Sequence, residues 1–150
     1  MSIQGKESVD SIHKKLGHIM WEYVGMGRTE EGLKTALKLL KEIRQEFETN
    51  LFIPGSTEGV NIELEKALRL NDFITMGELI AYDALNRNES CGGHFREEYQ
   101  TEEGEAKRDD ENYFYVSCWE YQGSDDVAPV LYKEPLVYEA IKVQTRNYKS

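Results

Sequence analysis

The sequence has no long hydrophobic run. None of its segments approaches the roughly 18 consecutive apolar residues that a membrane-spanning helix needs. The first residues, MSIQGK, are not followed by the apolar core of a signal peptide, so nothing in the sequence directs secretion. We therefore expect a water-soluble chain of one domain's size, because 150 residues are enough to bury a hydrophobic core.

Cysteine is scarce. Only Cys91 and Cys118 are present, and they lie too far apart in sequence to form a C-x-x-C motif. Such a pattern is typical of a protein from a reducing compartment. We expect both thiols to be free.

Positive charge is also in short supply. The chain has 18 lysine and arginine residues against 28 aspartate and glutamate residues, which gives a net charge of −10. Nucleic-acid binding requires clustered cations, and adsorption to an anionic bilayer requires them too. The charge therefore argues against both partners, and solubility is the simplest explanation of the acidic excess.

The usual signatures of a complete enzyme are missing. Gly25-x-Gly27 lacks the third glycine of a dinucleotide-binding turn and follows a predicted helix rather than a strand. Cys91 and His94 have C-x-x-H spacing, but only Cys118 could supply a third zinc ligand. The same pair lacks a third, orienting group for nucleophilic catalysis. We therefore expect no catalytic, cofactor-binding or metal site within this chain.

Three segments have the apolar spacing of helices. The first is capped by Ser8, the second by Thr29 and the third, which extends to about residue 88, by Asn61. Gly25-Met26-Gly27 is expected to end the first helix through a left-handed glycine. The apolar residues that define the first two helices are Val9, Ile12, Leu16, Ile19, Met20 and Tyr23, then Leu33, Ala36, Leu37, Leu40, Ile43 and Phe47.

The third helical segment is apolar on more than one side. A helix of this kind is expected to be covered from several sides. Gly77 in its interior would cost about 1 kcal/mol relative to alanine, so it indicates a close approach of another element. With short links, the three helices predict an up-down-up bundle over residues 1–90.

The chain changes character after residue 90. Residues 97–111 are dominated by acidic side chains and predict a solvated loop. Tyr113–Tyr121 is rich in aromatic and β-branched residues and predicts a strand, and 130–132 and 136–138 predict short extended pieces around Pro135. An isolated hairpin is marginal in water, so residues 91–150 should form a small β-containing part packed on the bundle.

The segment between these two parts carries a specific motif. Glu89-Ser90-Cys91-Gly92-Gly93-His94-Phe95-Arg96, followed by Arg108-Asp109-Asp110, resembles the E-S-R-G-A-H-x-R … R-D-D pattern of succinate dehydrogenase and fumarate reductase flavoprotein subunits. The helices resemble the same family, and the likeness extends over essentially the whole chain. Cys91 and Gly93 depart from the pattern, where the family has arginine and alanine.

The resemblance implies that this chain is the C-terminal helical domain of a larger flavoprotein, with a spectrin-like bundle followed by a smaller β-containing part. The parent subunit would carry FAD and exchange hydride between succinate and the flavin in respiratory electron transport and the tricarboxylic acid cycle. The residues that bind FAD and perform catalysis would lie upstream, leaving this fragment inactive by itself. Its implied partners are the upstream flavin domain, an iron–sulfur subunit and, indirectly, a membrane anchor on the cytoplasmic side of the inner membrane.

The motif supplies the candidate site residues, which are Glu89, Ser90, His94, Arg96, Arg108, Asp109 and Asp110. His94 and Arg96 could bond the unpaired carbonyls at a helix end or reach an adjoining domain. Arg108 could pair with Glu89, or the two aspartates with Arg96. These ties would either fold the loop onto the bundle or contribute to an interface with the flavin domain or the iron–sulfur subunit.

Two other functions remain open at this stage. L-aspartate oxidase carries a similar motif and is a soluble flavoenzyme, although the acidic loop and aromatic strand fit the respiratory branch better. A free-standing helical adaptor is the alternative from a different class, in which the bundle surface would bind a partner.

Overall fold

The structure is a computed structural model that describes residues 3–56, 58–124 and 127–144. Three long helices are followed by a short helix and a β-hairpin. A pair of two-residue strands joins the residues just before the first long helix to those just after the second. In chain order the elements are β1 (Glu7–Ser8), α1 (Val9–Tyr23), α2 (Glu30–Asn50), β2 (Leu51–Phe52), α3 (Ile62–Asn86), α4 (Asp110–Tyr113), β3 (Tyr115–Glu120) and β4 (Val130–Pro135). The predicted mainly helical bundle with a small β-containing part is confirmed.

Each long helix begins at the residue that the sequence indicated. The Ser8 hydroxyl accepts a hydrogen bond from the backbone N–H of Ser11 at 3.1 Å. Thr29 caps α2 and Asn61 caps α3 in the same way, each at 3.0 Å. These side chains satisfy backbone donors that have no partner inside the helix, and each cap is worth about 1 kcal/mol.

The hydrophobic core lies where the three helices meet. Its apolar residues recur at steps of three and four, which places them on one side of each helix. The buried residues are Val9, Ile12, Leu16 and Ile19 on α1, Leu33, Ala36, Leu40 and Ile43 on α2, and Ala67, Leu70, Ile74, Ala81 and Ala84 on α3, together with Val24 and Leu51. Small alanines on α3 allow the neighbouring helices to approach closely.

The third helix differs from the expectation that it is covered from several sides. Its buried positions form one narrow stripe, whereas Phe73, Met76 and Ile80 remain exposed on a neighbouring face. The reason is that α1 and α2 cover only the sides against which they pack, and the hairpin contacts α3 near its C-terminal end, at Tyr82 and Asp83.

The glycines that follow α1 do not end the helix in the way expected. Neither Gly25 nor Gly27 adopts the left-handed conformation, which the described chain uses at Gly55, Gly92, Gly104 and Gly123. Instead, a Cβ at Gly25 would lie only 2.5 Å from the carbonyl oxygen of Trp21. The helix therefore ends where the backbone turns too tightly for a side chain.

Gly77 does mark a close approach, as the sequence indicated. A Cβ there would lie 3.2 Å from Met20 Sδ and 3.5 Å from Leu16 Cδ1, both on α1, and 3.7 Å from Leu40 Cδ2 on α2. The side chains of both neighbouring helices thus pack directly on the backbone of α3. The missing methyl group sets the spacing at the centre of the bundle.

The last part of the chain forms an antiparallel hairpin in which Tyr115 lies opposite Pro135 and Glu120 lies opposite Val130. β4 is one strand that ends at Pro135, so the predicted second extended piece over 136–138 is not a strand. The hairpin contacts α3 through Trp119, whose Nε1 donates to Asp83 Oδ1 at 2.7 Å and whose ring packs edge-on against Tyr82.

The division of the chain into 1–90 and 91–150 stays a prediction, and its second part is described only as far as residue 144. In the described ranges, every helix is too short or too polar to cross a membrane.

We predict that replacing Gly77 with leucine lowers the free energy of unfolding by about 1–3 kcal/mol, because the new side chain must displace Met20 and Leu16. The matched control is Gly17→Leu in α1, where a Cβ meets nothing within 4 Å. That change should leave stability unchanged or raise it by up to about 1 kcal/mol through helix propensity. Urea unfolding monitored by circular dichroism measures both, and equal effects would contradict the packing assigned to Gly77.

Candidate functional site

The motif residues lie in a segment that folds back over one end of the bundle. This segment, which we call the end loop, comprises residues 87–109 between the C-terminus of α3 and the start of α4. It begins where α3 leaves carbonyl groups without helical partners. Those carbonyls determine where its most important side chain lies.

Arg96 is fully buried, with 0% of its surface exposed. Its Nη1 donates to the carbonyl oxygens of Ala84 at 3.0 Å and Leu85 at 3.3 Å, and its Nε donates to Glu98 Oε2 at 3.1 Å. A cation at this position also interacts favourably with the negative end of the helix dipole. Arg96 therefore caps α3 from inside the fold.

Ser90 fixes the backbone of this arginine. Its Oγ accepts a hydrogen bond from the Arg96 N–H at 2.8 Å and donates one to the Arg96 carbonyl at 3.1 Å. Ser90 itself is fully buried, so both hydrogen bonds are shielded from water. Among the described residues, no buried side-chain nitrogen or oxygen lacks a hydrogen-bond partner.

Glu89 connects the two ends of the loop. Its buried carboxylate accepts from Arg87 Nε at 2.9 Å and from the backbone N–H of Asp109, also at 2.9 Å. Arg87 in turn donates through Nη2 to the carbonyl of Tyr113 at 2.5 Å and lies over the ring of Tyr115 at 5.3 Å. A buried carboxylate thus has a cationic partner, as its desolvation requires.

His94 links the end loop to Arg28, in the turn between α1 and α2. Arg28 Nη1 lies 2.8 Å from Nδ1 of the ring, and Nε2 lies 2.9 Å from the carbonyl oxygen of Arg87. A guanidinium group can only donate, so Nδ1 accepts and the proton resides on Nε2, which donates to the carbonyl. The geometry therefore requires a neutral imidazole.

The electrostatic surroundings of the ring favour the same state. Burial is the largest influence and lowers the pKa of His94. The guanidinium groups of Arg28, Arg96 and Arg87 lower it further, and only the hydrogen bond to the carbonyl of Arg87 opposes the shift. Protonation would place a charged imidazolium against Arg28 and remove the acceptor that Arg28 uses.

Arg28 closes the contact between the end loop and the α1–α2 turn. Its backbone N–H donates to Phe95 at 3.0 Å, and its carbonyl accepts from Glu97 at 2.8 Å. Its Nε donates to the carbonyl of Val24 at 3.1 Å, at the end of α1. Arg28 thus caps α1 as Arg96 caps α3.

Glu98 completes the connection to α2. Oε1 accepts from the backbone N–H of Glu30 in the first turn of α2 at 2.5 Å, while Oε2 accepts from Arg96. Burial acts to raise the pKa of Glu98, but the hydrogen bonds from Glu30, from its own backbone and from Arg96 outweigh it and lower the pKa. A carboxylate at the N-terminus of a helix is favourable.

Three of the pairings considered from the sequence are not formed. Arg108 pairs with Asp110 at 2.5 Å rather than with Glu89. Arg96 pairs with Glu98 and not with either aspartate. The side chain of Asp109 instead caps α4 by accepting from the N–H of Asn112 at 3.2 Å. In each case a partner nearby in sequence lies closer than the one across the loop.

The two departures from the family motif occupy open positions. Cys91 and His94 exchange backbone hydrogen bonds of 2.8 and 3.0 Å across a tight turn that contains left-handed Gly92. The Cys91 side chain is exposed, and a Cβ at Gly93 would meet nothing within 4 Å. Neither departure disturbs the ties that hold the end loop.

Sequence reasoning identified part of this network and missed the rest. Arg28, Arg87 and Glu98 each make a central tie, although none was a candidate site residue. The available signal was the position of the two arginines: Arg87 directly follows α3, and Arg28 lies in the short turn after α1. The partners of the three residues lie up to 68 residues away, which sequence spacing does not reveal.

The polar groups of this site are engaged in contacts within the chain. Both ring nitrogens of His94 are engaged by Arg28 and the Arg87 carbonyl, so neither is available as a base for Cys91. In the part of the chain that the structure describes, no three His, Cys, Asp or Glu side chains gather into a possible metal site. Arg96 bonds the backbone at the end of α3, whereas the other motif residues bond mainly to groups of the end loop and α4.

Comparison with known proteins yields one family. The profile described as the C-terminal region of the fumarate reductase flavoprotein matches residues 13–148. The fumarate reductase flavoprotein subunit of Helicobacter pylori is 31% identical over 133 residues, which are 89% of this chain and 18% of that protein.

Two further relatives match over shorter stretches. An uncharacterised FAD-dependent oxidoreductase of Methanocaldococcus jannaschii is 33% identical over 98 residues, 65% of this chain and 17% of that protein. A chloroplastic L-aspartate oxidase of Nicotiana tabacum is 37% identical over 88 residues, 59% of this chain and 13% of that protein. The chain therefore spans less than a fifth of these relatives.

Solved structures share the architecture. A quinol–fumarate reductase with menaquinol molecules superposes with a TM-score of 0.75 at 25% identity, covering 92% of this chain and 23% of that one. The Mycobacterium smegmatis Sdh1 complex gives 0.73 at 26% identity, covering 90% and 22%.

We predict that Arg96→Met lowers the free energy of unfolding by about 3–5 kcal/mol, because it leaves the Ala84 and Leu85 carbonyls uncapped and removes the cationic partner of Glu98. The matched control is Arg69→Met, which removes an exposed arginine from the surface of α3 and should cost less than about 1 kcal/mol. Chemical denaturation measures both. A cost for Arg96→Met no larger than that of the control would contradict its capping role.

We also predict a stability loss in mild acid that depends on His94. Because folding lowers the pKa of His94, below about pH 6.5 this residue binds a proton more readily in the unfolded chain than in the folded chain. The stabilisation is therefore complete above that pH and declines as pH falls, by at most about 1.4 kcal/mol per pH unit.

The comparison is with His94→Gln, which cannot titrate. This variant should be less stable than the parent at pH 8, and the difference should narrow between pH 6.5 and 5. The difference between the two free energies of unfolding at each pH isolates the contribution of residue 94. A constant difference across this range would show that His94 does not titrate as its surroundings require.

Proposed function

Because this chain belongs to the family of fumarate reductase flavoprotein C-terminal domains, we propose that it is the non-catalytic helical domain of a flavoprotein subunit that interconverts succinate and fumarate. In this proposal the flavin and the substrate bind to the remainder of the subunit. The helical domain supplies a rigid body against which that remainder folds.

The observation that carries the proposal is the set of partners to which the family-motif residues bond. Arg96, His94 and Glu89 all bond to backbone atoms or charged groups of this same chain. These bonds support a structural role for the motif, with the substrate held elsewhere in the subunit. The relatives named above are more than five times as long as the region they share with this chain, which leaves ample length for the parts that bind flavin and substrate.

The wider assembly follows from the same reasoning. The parent subunit would exchange electrons with an iron–sulfur subunit and contact a membrane anchor only through it. The complex would be peripheral and lie on the cytoplasmic side of the inner membrane. The support for a complex is that the similar solved structures include a quinol–fumarate reductase and an Sdh1 complex.

A second candidate is the corresponding domain of an L-aspartate oxidase. The tobacco enzyme has the higher identity, 37% against 31%, but its match ends after 88 residues. The Helicobacter pylori subunit matches 133 residues, or 89% of this chain, so its match must include residues beyond the bundle. The longer match favours the succinate–fumarate reaction.

We predict that the isolated chain binds no FAD and has no turnover, whereas the complete flavoprotein that contains it oxidises succinate. The measurement is dye reduction with succinate and, in parallel, hydrogen peroxide release with L-aspartate. Oxidation of aspartate alone would replace the first candidate with the second. Turnover by the isolated chain would contradict the non-catalytic role itself.

A further inference from the structure

The end loop is held to the bundle by polar bonds and not by apolar burial. Its buried residues are Glu89, Ser90 and Arg96, and all three are polar. None of the apolar core residues that the structure describes lies in this segment. A segment that buries few apolar contacts can open at a low free energy while the rest of the domain stays folded. The closed state of the end loop therefore depends on its hydrogen bonds.

The end loop contacts the ends of α1 and α3 at two separate places. At the end of α3, Arg96 bonds to backbone carbonyls. In the α1–α2 turn, Arg28 exchanges backbone hydrogen bonds with Phe95 and Glu97, and its guanidinium group bonds to His94. We call this second set of bonds the turn contact. Of the two contacts, only the turn contact contains a side chain whose ordinary pKa lies between pH 5 and 8.

The hydrogen bonds of His94 permit one protonation state. Arg28 Nη1 lies 2.8 Å from Nδ1, and a guanidinium group can only donate, so Nδ1 has to accept. A proton added to Nδ1 would set two donors against each other at this distance. Nε2 already carries the other proton, which it donates to the carbonyl of Arg87. Charging the ring therefore breaks the bond between Arg28 and His94.

Three guanidinium groups face the ring, from the three elements packed around it. They belong to Arg28 in the α1–α2 turn, Arg87 directly after α3 and Arg96 in the end loop itself. All three disfavour a second positive charge, and burial of the ring acts in the same direction, so the pKa of His94 is lowered. An imidazolium at this position would be repelled as well as unbonded.

The acidic groups of the same region are directed elsewhere. Glu89 bonds to Arg87, Glu98 bonds to Arg96 and to the backbone of Glu30, Asp83 bonds to Trp119, the exposed Glu97 side chain lies against Gly27, and the Cys91 thiol is exposed. Among the described residues, the influences on the pKa of His94 include no carboxylate. A protonated ring therefore finds no compensating charge.

We propose that the turn contact is a pH-sensitive latch, in which protonation of His94 detaches the end loop from the α1–α2 turn while Arg96 still caps α3 and the bundle stays folded. The latch is closed above about pH 6.5 and opens increasingly as the pH falls. Once the Arg28–His94 bond is lost, the two backbone bonds of the turn contact lose the side-chain bond that holds them together. This inference goes beyond the proposed function and does not depend on it, because every group involved belongs to this chain.

The test is native-state hydrogen exchange of the full chain, followed by NMR at pH 7.5 and pH 5.5. The reporters are the backbone N–H groups of Arg28 and Glu97, whose hydrogen bonds cross the turn contact. After correction for the intrinsic exchange rate at each pH, their opening constant should rise by up to about tenfold at the lower pH. The reason is that a free imidazole of pKa near 6.5 gains a proton in this range, whereas the latched ring does not.

Urea distinguishes opening of the latch from unfolding of the whole domain, which also frees His94. Opening of the latch exposes little apolar surface, so about 1 M urea should change the protection of the reporters less than twofold. The N–H groups of buried core residues such as Leu40 and Ile74 should lose roughly tenfold or more. Equal protection and equal urea dependence of the two sets would overturn the inference.

Two variants assign the pH dependence to one residue. His94→Gln cannot titrate, so its reporters should have the same opening constant at both pH values, whether that constant is high or low. The matched control is His18→Gln on the exposed side of α1, which should keep the full pH dependence of the parent. A pH dependence that survives in His94→Gln belongs to another group and overturns the inference.

Nitrogen NMR of the His94 ring tests the latch without any substitution, so it applies even where a variant does not fold. At pH 7.5 the parent chain should show a proton on Nε2 and none on Nδ1. The ring should titrate below the ordinary value of about 6.5. A proton on Nδ1 at pH 7.5, or titration at or above the ordinary value, would show that the latch does not exist.

Discussion

The guanidinium group of Arg96 bonds to the carbonyls that end α3, and the end loop is arranged around this contact. A buried cation is tolerated only where every donor has a partner and the charge is compensated. Carbonyl oxygens, the negative end of a helix dipole and Glu98 meet that requirement together. Ser90 is then needed to hold the backbone of Arg96, and Glu89 to return the chain to α4. Loss of the Arg96 side chain would remove the contact that Ser90 and Glu89 help to position.

The same end of the bundle assembles three arginines around one histidine, and both these charges and the hydrogen bond from Arg28 favour the neutral ring. Each arginine donates hydrogen bonds to carbonyl groups or carboxylates, and these partners limit the repulsion between the three guanidinium groups. The result is a joint between the α1–α2 turn, the start of α2 and the end of α3. Since these three helix ends are far apart in sequence, the joint connects the helices in addition to the packing of the core.

This arrangement gives most residues of the family motif a partner within the domain. The motif residues act on the backbone of their own domain, and their role is to define its shape. The shape is set at one end of the bundle, where the end loop bonds to the ends of α1 and α3 and to the start of α2.

The sequence by itself determined the helices, their caps at Ser8, Thr29 and Asn61, and the family, because periodicity, capping and a contiguous motif are local properties of the chain. It also indicated the close approach at Gly77. Tertiary structure alone decided the partners of Arg108 and Arg96, the role of Arg28, and which face of α3 stays open. The physical reason is that these depend on the path of the end loop, which is set by hydrogen bonds to helix ends brought together only when the bundle forms.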